Sequence, residues 1–135
     1  MLKFTEEKIF TQEQVQQLFL SVHWISGNYP ERLYKALMHS STVLTVWDDT
    51  KLVGLTRVLD DTAMLAQIHY VLVHPEYQGQ GIAGQMIEYI KEKYKDFLYI
   101  EGMPEDKKNV PFYEKHGFSV MEHGAPIQIC NPDFK

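Results

Sequence analysis

The sequence predicts a mixed α+β fold, a mainly antiparallel sheet flanked by helices, on three observations. An amphipathic helical pattern lies near the N-terminus, three consecutive β-prone runs are joined by two Asp-Asp-Thr links, and helical spacing returns directly after a glycine-rich turn. A length of 135 residues suits one domain, 1–135, with a single sizeable core.

Thr11 opens a capping box with Gln14, and Val15, Leu18, Phe19 and Val22 then recur at helical spacing, so residues 12–22 are predicted to form a helix with one apolar face. A second helix is predicted to begin near Pro30, because a first-turn residue needs no N–H. It carries Leu33, Ala36 and Leu37 inward and stops at Ser40-Ser41. The runs 42–47, 51–59 and 63–73, linked by Asp48-Asp49-Thr50 and Asp60-Asp61-Thr62, read as an antiparallel meander. Ile82, Met86, Ile87, Ile90 and Tyr94 mark a helix reaching Lys95, followed by a strand over 97–100. Pro111 is tolerated only in a first turn and Gly117 is a natural stop, which places a short helix within 104–115. A last strand is expected from Phe118 towards Cys130, interrupted by Gly124 and Pro126. The order is β, α, α, β, β, β, α, β, α, β.

Thirteen basic and eighteen acidic side chains give a net charge of −5, and no run of Lys or Arg is long enough to follow a phosphate backbone, so nucleic acid is not an expected partner. Apolar stretches stay under ten residues and the first seven residues contain no signal-peptide core. No membrane association is therefore expected, and the location is read as cytoplasmic. Cys130 is the single cysteine, with a small buried hydrophobe as its expected role. His74 and His116 have no second ligand at metal spacing, so no metal is expected. The Asp pairs are turn residues whose side chains cap nearby N–H groups.

The turn Tyr77-Gln78-Gly79-Gln80-Gly81-Ile82-Ala83-Gly84 fits two patterns. As GxGxxG it suggests a nicotinamide dinucleotide site of an oxidoreductase, with Glu101 as a ribose ligand. As Q-x-x-G-x-A it suggests the pyrophosphate loop of an acyl-coenzyme A protein. Both use the same physics, converging N–H groups at a helix N-terminus and glycines that let an anion approach. A dinucleotide fold needs βαβαβ halves with its glycines directly after the first strand. Here a meander precedes the loop, and His74 to Gln78 separate strand from glycine, which favours the second reading.

Val71-Leu72-Val73-His74-Pro75-Glu76-Tyr77-Gln78-Gly79-Gln80-Gly81-Ile82-Ala83 resembles motif A of the GNAT-type N-acetyltransferases. Phe112-Tyr113-Glu114-Lys115-His116-Gly117-Phe118 resembles their motif B. The resemblance covers nearly the whole chain and implies a GNAT-like fold, acetyl-coenzyme A (acetyl-CoA) as donor and an amine as acceptor. Asn109 to Tyr113 is further similar to the matching stretch of glucosamine-phosphate N-acetyltransferases, although the N-terminal half is not.

The resemblance also assigns roles. Gln78, Gly79, Gln80, Gly81, Ile82, Ala83 and Gly84 would hold the pyrophosphate. The strand Val71 to Val73 would splay from its neighbour and pair with the pantetheine arm through its backbone, while the Val71 and Val73 side chains read as core. Tyr113 would protonate the departing thiolate; alternatively it packs beside Phe112 and Phe118. Asn109 either faces the same donor or caps the helix that follows.

One departure stands out. Many GNAT enzymes place a carboxylate base on the strand before motif A, where this chain has Ala66-Gln67-Ile68-His69-Tyr70. Simple alternation puts His69 on one face with Gln67 and Val71, and His69 is the candidate base, against a packed structural histidine. Deprotonating an alkylammonium of pKa ~10.4 at pH 7 costs about 4.6 kcal/mol, whereas an amine near pKa ~8 costs about 1.4 kcal/mol. A weak base thus points to a low-pKa primary amine of a small molecule, such as an amino acid. Trp24, Ser26, Asn28 and Tyr29 are the candidate walls of its pocket, with Arg32 and Arg57 as partners for an acceptor carboxylate or simply for surface ion pairs. A homodimer through an exposed final strand is compatible with the pattern. A non-catalytic acyl-CoA sensor, keeping the loop but not needing Tyr113, is the alternative function.

Overall fold

The computed structural model describes residues 1–132. Its coordinates separate into two compact units, Met1–Gly102 and one that begins at Met103. The first holds a five-stranded sheet of β1 (Leu2–Thr5), β2 (Thr42–Asp48), β3 (Lys51–Asp60), β4 (Leu65–Val73) and β5 (Tyr99–Gly102), in that spatial order. Every pair is antiparallel except β4–β5, which is parallel. A single crossover in a sequentially ordered sheet is not a doubly wound fold, and Glu101, sought as a ribose ligand, is a β5 residue opposite Gln67.

Alternation along the strands divides the core. α1 (Gln12–Ser21) and α2 (Pro30–Met38) bury Val15, Leu18, Phe19, Leu33 and Leu37 against Val43, Leu55 and Leu72 on one face of the sheet. α3 (Ile82–Lys93) buries Ile82 and Met86 against Leu44, Val46, Val53 and Val73 on the other. Both predicted helix starts hold. The Thr11–Gln14 box closes with reciprocal bonds of 2.9 and 3.1 Å, and Pro30 occupies the first turn of α2. Beyond the C-terminal end of α3, the buried Tyr94 hydroxyl bonds Thr42 Oγ1 (2.6 Å) and Asp60 Oδ2 (2.7 Å), tying the helix to the ends of β2 and β3. Desolvation first, then Asp60, pushes its phenol up to about 12.

The meander turns differ from each other. Asp48 pairs with Lys51, so Asp49-Thr50 is a two-residue hairpin loop with Asp49 at φ 54°. The second link is longer, and β4 starts at Leu65 because Asp61 Oδ1 accepts the N–H groups of Ala63, Met64 and Leu65 in a local turn. β5 lies two residues beyond its predicted position, at Tyr99–Gly102.

In the second unit, α4 (Val110–Lys115) follows a 3-10 turn, Lys107–Asn109. The strand expected from Phe118 towards Cys130 is absent among the described residues: 118–132 pair with no other strand. A strand exists only through a partner ladder, so alternation alone does not make one here. For the same reason Cys130 is exposed rather than buried.

Candidate active site

The loop before α3 is built for an anion. Gly79 and Gly81 have φ of 83° and 80°, left-handed values that side chains resist, and a Cβ placed on either would meet nothing within 4 Å. Space and backbone conformation together leave the loop's N–H groups accessible. Gly81 is the N-cap of α3 and no side chain caps it, so the first-turn donors of Ile82, Ala83 and Gly84 face outward at the positive end of a twelve-residue helix. The Ile82 side chain itself is core. A pyrophosphate fits this cradle. Gln78 differs from its assigned role: its Nε2 donates to the Val73 carbonyl (3.0 Å), holding the loop against the end of β4. His74 Nδ1 accepts from the Glu76 N–H (3.1 Å), and the Tyr77 hydroxyl donates to Asp48, which fixes the turn between β4 and the glycines.

The sheet opens beside that loop. β4–β5 pairing ends at Ile68 and Gly102, and from His69 onwards β4 has no neighbour on that side among the described residues. The splayed edge runs from His69 to Val73, where a pantetheine arm has backbone groups to pair with. On the other side of β4 the ladder contains a bulge. Thr56 pairs with Val71 and Arg57 with His69, leaving Tyr70 as the extra residue at φ 71°. This corrects the simple alternation. Thr56 and Arg57 are consecutive and face opposite ways, so their partners Val71 and His69 do too. Val71 and Val73 pack on the α3 side as core, whereas His69 and Tyr70 both turn toward α1.

Around Tyr70 the structure gathers residues from three separate segments. The Tyr70 hydroxyl and Ser26 Oγ are hydrogen-bonded at 2.7 Å, and the ring contacts Phe19 (4.8 Å between centroids), Trp24 (5.9 Å) and His69 (4.1 Å). The Arg57 guanidinium lies over it, 4.8 Å from the centroid. Ser26 sits in a 3-10 turn, Ile25–Asn28, held to α1 by Gln16 Nε2 donating to the Gly27 carbonyl (3.0 Å). Of the four predicted pocket residues, Trp24 and Ser26 reach this cluster, Asn28 is exposed, and Tyr29 lies under the Arg32 guanidinium.

Desolvation first, and then the Arg57 charge, lower the His69 pKa below its usual value, which keeps the imidazole neutral near pH 7 and able to accept a proton. Arg57 is 8% exposed, and its Nε has no hydrogen-bond partner among the described residues. Taking an ion out of water costs several kcal/mol, while a desolvated cation–π contact returns about 2 kcal/mol. Tyr70 therefore offsets only part of the cost. Tyr70 gives no signal in the sequence beyond being aromatic, since a bulge leaves none.

Tyr113, on α4, is half-buried, edge-on to Phe112 (5.0 Å) and Phe118 (5.7 Å), and its hydroxyl makes no hydrogen bond among the described residues. Burial raises its pKa, so it is a phenol at neutral pH. Asn109 makes no capping bond to α4; the cap in this segment is Asp106, which accepts from the Lys108 N–H (3.0 Å). Among the described residues no group of three or more His, Cys, Asp or Glu is placed to hold a metal, and no helix is long and apolar enough to cross a membrane.

The model of the acetyltransferase (GNAT) family matches residues 9–118. The chain belongs to the GNAT acetyltransferase family. An uncharacterized N-acetyltransferase, ycf52-like, of Prochlorococcus marinus is 28% identical over 90% of this chain and 69% of its own length. Among solved structures, a GNAT family acetyltransferase of Streptococcus pneumoniae superposes with a TM-score of 0.82 at 27% identity, covering 97% of this chain and 98% of its own. A Staphylococcus aureus protein of unknown function does so at 0.86 and 26%, over 97% of this chain and 100% of its own. This GNAT chain is thus an acetyltransferase by family, and acetyl-CoA is the donor that membership implies.

Proposed function

We propose that this GNAT chain moves an acetyl group from acetyl-CoA to a primary amine of a small molecule by direct attack. The observation that carries the reading is the juxtaposition of an uncapped α3 N-terminus, entered through two left-handed glycines, with the splayed edge of β4. The amine nitrogen adds to the thioester carbonyl, the C–S bond breaks, His69 takes the ammonium proton directly or through water, and Tyr113 gives a proton to the departing sulfur. The Tyr113 role rests on the resemblance of Phe112 to Phe118 to motif B, and a phenol near pKa ~10 or above remains protonated until a thiolate needs it. A neutral imidazole is a weak base, which supports an acceptor amine of lowered pKa over a lysine side chain or a polyamine.

Thiol release from acetyl-CoA across a panel of primary amines tests this, repeated on Tyr113→Phe. A positioned acid contributes at least ~100-fold, so the variant is expected to lose about that much kcat while still binding acetyl-CoA. Full turnover in a chemistry-limited assay would remove Tyr113 from the mechanism. Binding of acetyl-CoA without turnover of any amine would favour the sensor reading.

A further inference from the structure

Arg57 is the polar side chain that the mechanism above leaves without a task. It is more than nine-tenths buried on the α1–α2 face of the sheet, opposite Val43 on β2 and His69 on β4. Lysines at the surface take carboxylates in Lys51–Glu76, Lys91–Glu88, Lys93–Glu6 and Lys95–Glu92, yet no ion pair forms at Arg57 among the described residues. Only the Tyr70 ring contacts its charge, and its Nε is buried without an acceptor. A chain with eighteen acidic residues and a net charge of −5 has carboxylates to spare. Val43 opposite shows that an apolar side chain suits this layer, so a charge held here calls for a ligand of opposite sign.

The surroundings are those of a small-molecule site. The flat face of the guanidinium rests on Tyr70, Ser26 and Tyr70 hydroxyls form its polar border, and Trp24 adds an aromatic wall. A guanidinium fork matches a carboxylate with two parallel bonds. His69 stands directly across the ladder, where opposed side chains start about 4.5–5.5 Å apart.

We propose that Arg57 receives a carboxylate carried by the acceptor, so that this chain acetylates amino-carboxylates, with the amine a few bonds from the acid group, in preference to plain amines. This rests on the acetyl-transfer reading above and narrows its acceptor class. The pairing has a chemical consequence. A free carboxylate stabilises the ammonium beside it; neutralised by Arg57, it no longer does, and the amine gives up its proton more readily to a weak base such as His69.

The test uses matched ligands on the whole chain. Amino acids are compared with their carboxamides and decarboxylated amines in thiol release with acetyl-CoA. Separately, N-acetyl amino acids are compared with N-acetyl amino acid amides by calorimetric binding in the presence of coenzyme A. In the wild type, loss of the carboxylate is expected to cut kcat/KM and product affinity at least tenfold. In Arg57→Gln the two classes should come within about threefold of each other, with Arg57→Lys between. Equal or better handling of carboxamides by the wild type would overturn the proposal even if neither variant folds. Absence of thiol release with every amine would count against the acetyl-transfer reading alone, because the product-binding arm still decides the carboxylate question.

Discussion

His69 is a residue whose neighbours decide its chemistry. Burial around the ring and the Arg57 charge both penalise the imidazolium, in that order. The folded-state pKa therefore lies below the ordinary ~6.5, and the sign follows. Above ~6.5 the ring is neutral folded or unfolded. As pH falls below that value the unfolded chain takes the proton first, so the stability contributed by the neutral ring is lost as pH drops through the folded-state pKa. An NMR titration of the His69 ring is expected to show a midpoint under ~6.5, with the acidic limb of kcat/KM at the same pH if His69 is the base. Arg57→Gln should raise the midpoint but not fully restore it, since desolvation remains. A wild-type midpoint at or above the ordinary value would remove the physical case for a neutral base. Sequence showed His69 as a candidate because no carboxylate stood near it. The charge opposite it came from pairing between strands, which no local pattern encodes.

At the scale of elements, the glycine turn and the β4 bulge make an instructive pair. The turn was legible because each of its features is local: Gly79 and Gly81 are required by their own positive φ, and the helix they open has its own apolar spacing. Replacing Gly81 by Ala adds a Cβ into open space, so the cost is conformational, about 1–2 kcal/mol. For a chain of this size that lowers Tm by roughly 3–8 °C, measured by calorimetry without ligand. An unchanged Tm would mean that the loop relaxes and that its geometry is not specified by Gly81. The bulge at Tyr70 was not legible, and reading through it put Val71 on the face of His69. An extra residue in a strand changes every later side chain's face, yet its cause lies in the partner strand and in the Phe19, Trp24 and Ser26 contacts that stabilise a tyrosine at φ 71°. The missing final strand has the same origin, since residues 118–132 have strand-like spacing but no ladder.

For the molecule as a whole, the order of elements was readable because helices and hairpins carry their signals within themselves, and the family match over residues 9–118 agrees with it. What the donor does to the whole fold is then a matter of linkage. A ligand bound only by the folded chain stabilises it by about 2.7 kcal/mol at a hundred times its Kd, which corresponds to a Tm rise of roughly 7–14 °C for a chain of this length. Acetyl-CoA and coenzyme A are both expected to give such a rise, because the cradle at Gly79 to Gly84 and the open edge of β4 bind the parts they share. NAD carries a pyrophosphate but no pantetheine arm for that edge, so its shift should be small. In Gly81→Ala the rise with acetyl-CoA should shrink further than the drop in ligand-free Tm accounts for, since the new methyl group occupies the space through which an anion reaches the loop. An NAD shift equal to that of acetyl-CoA would return the loop to its dinucleotide reading. A Gly81→Ala variant with the full acetyl-CoA shift would place the pyrophosphate elsewhere on the chain.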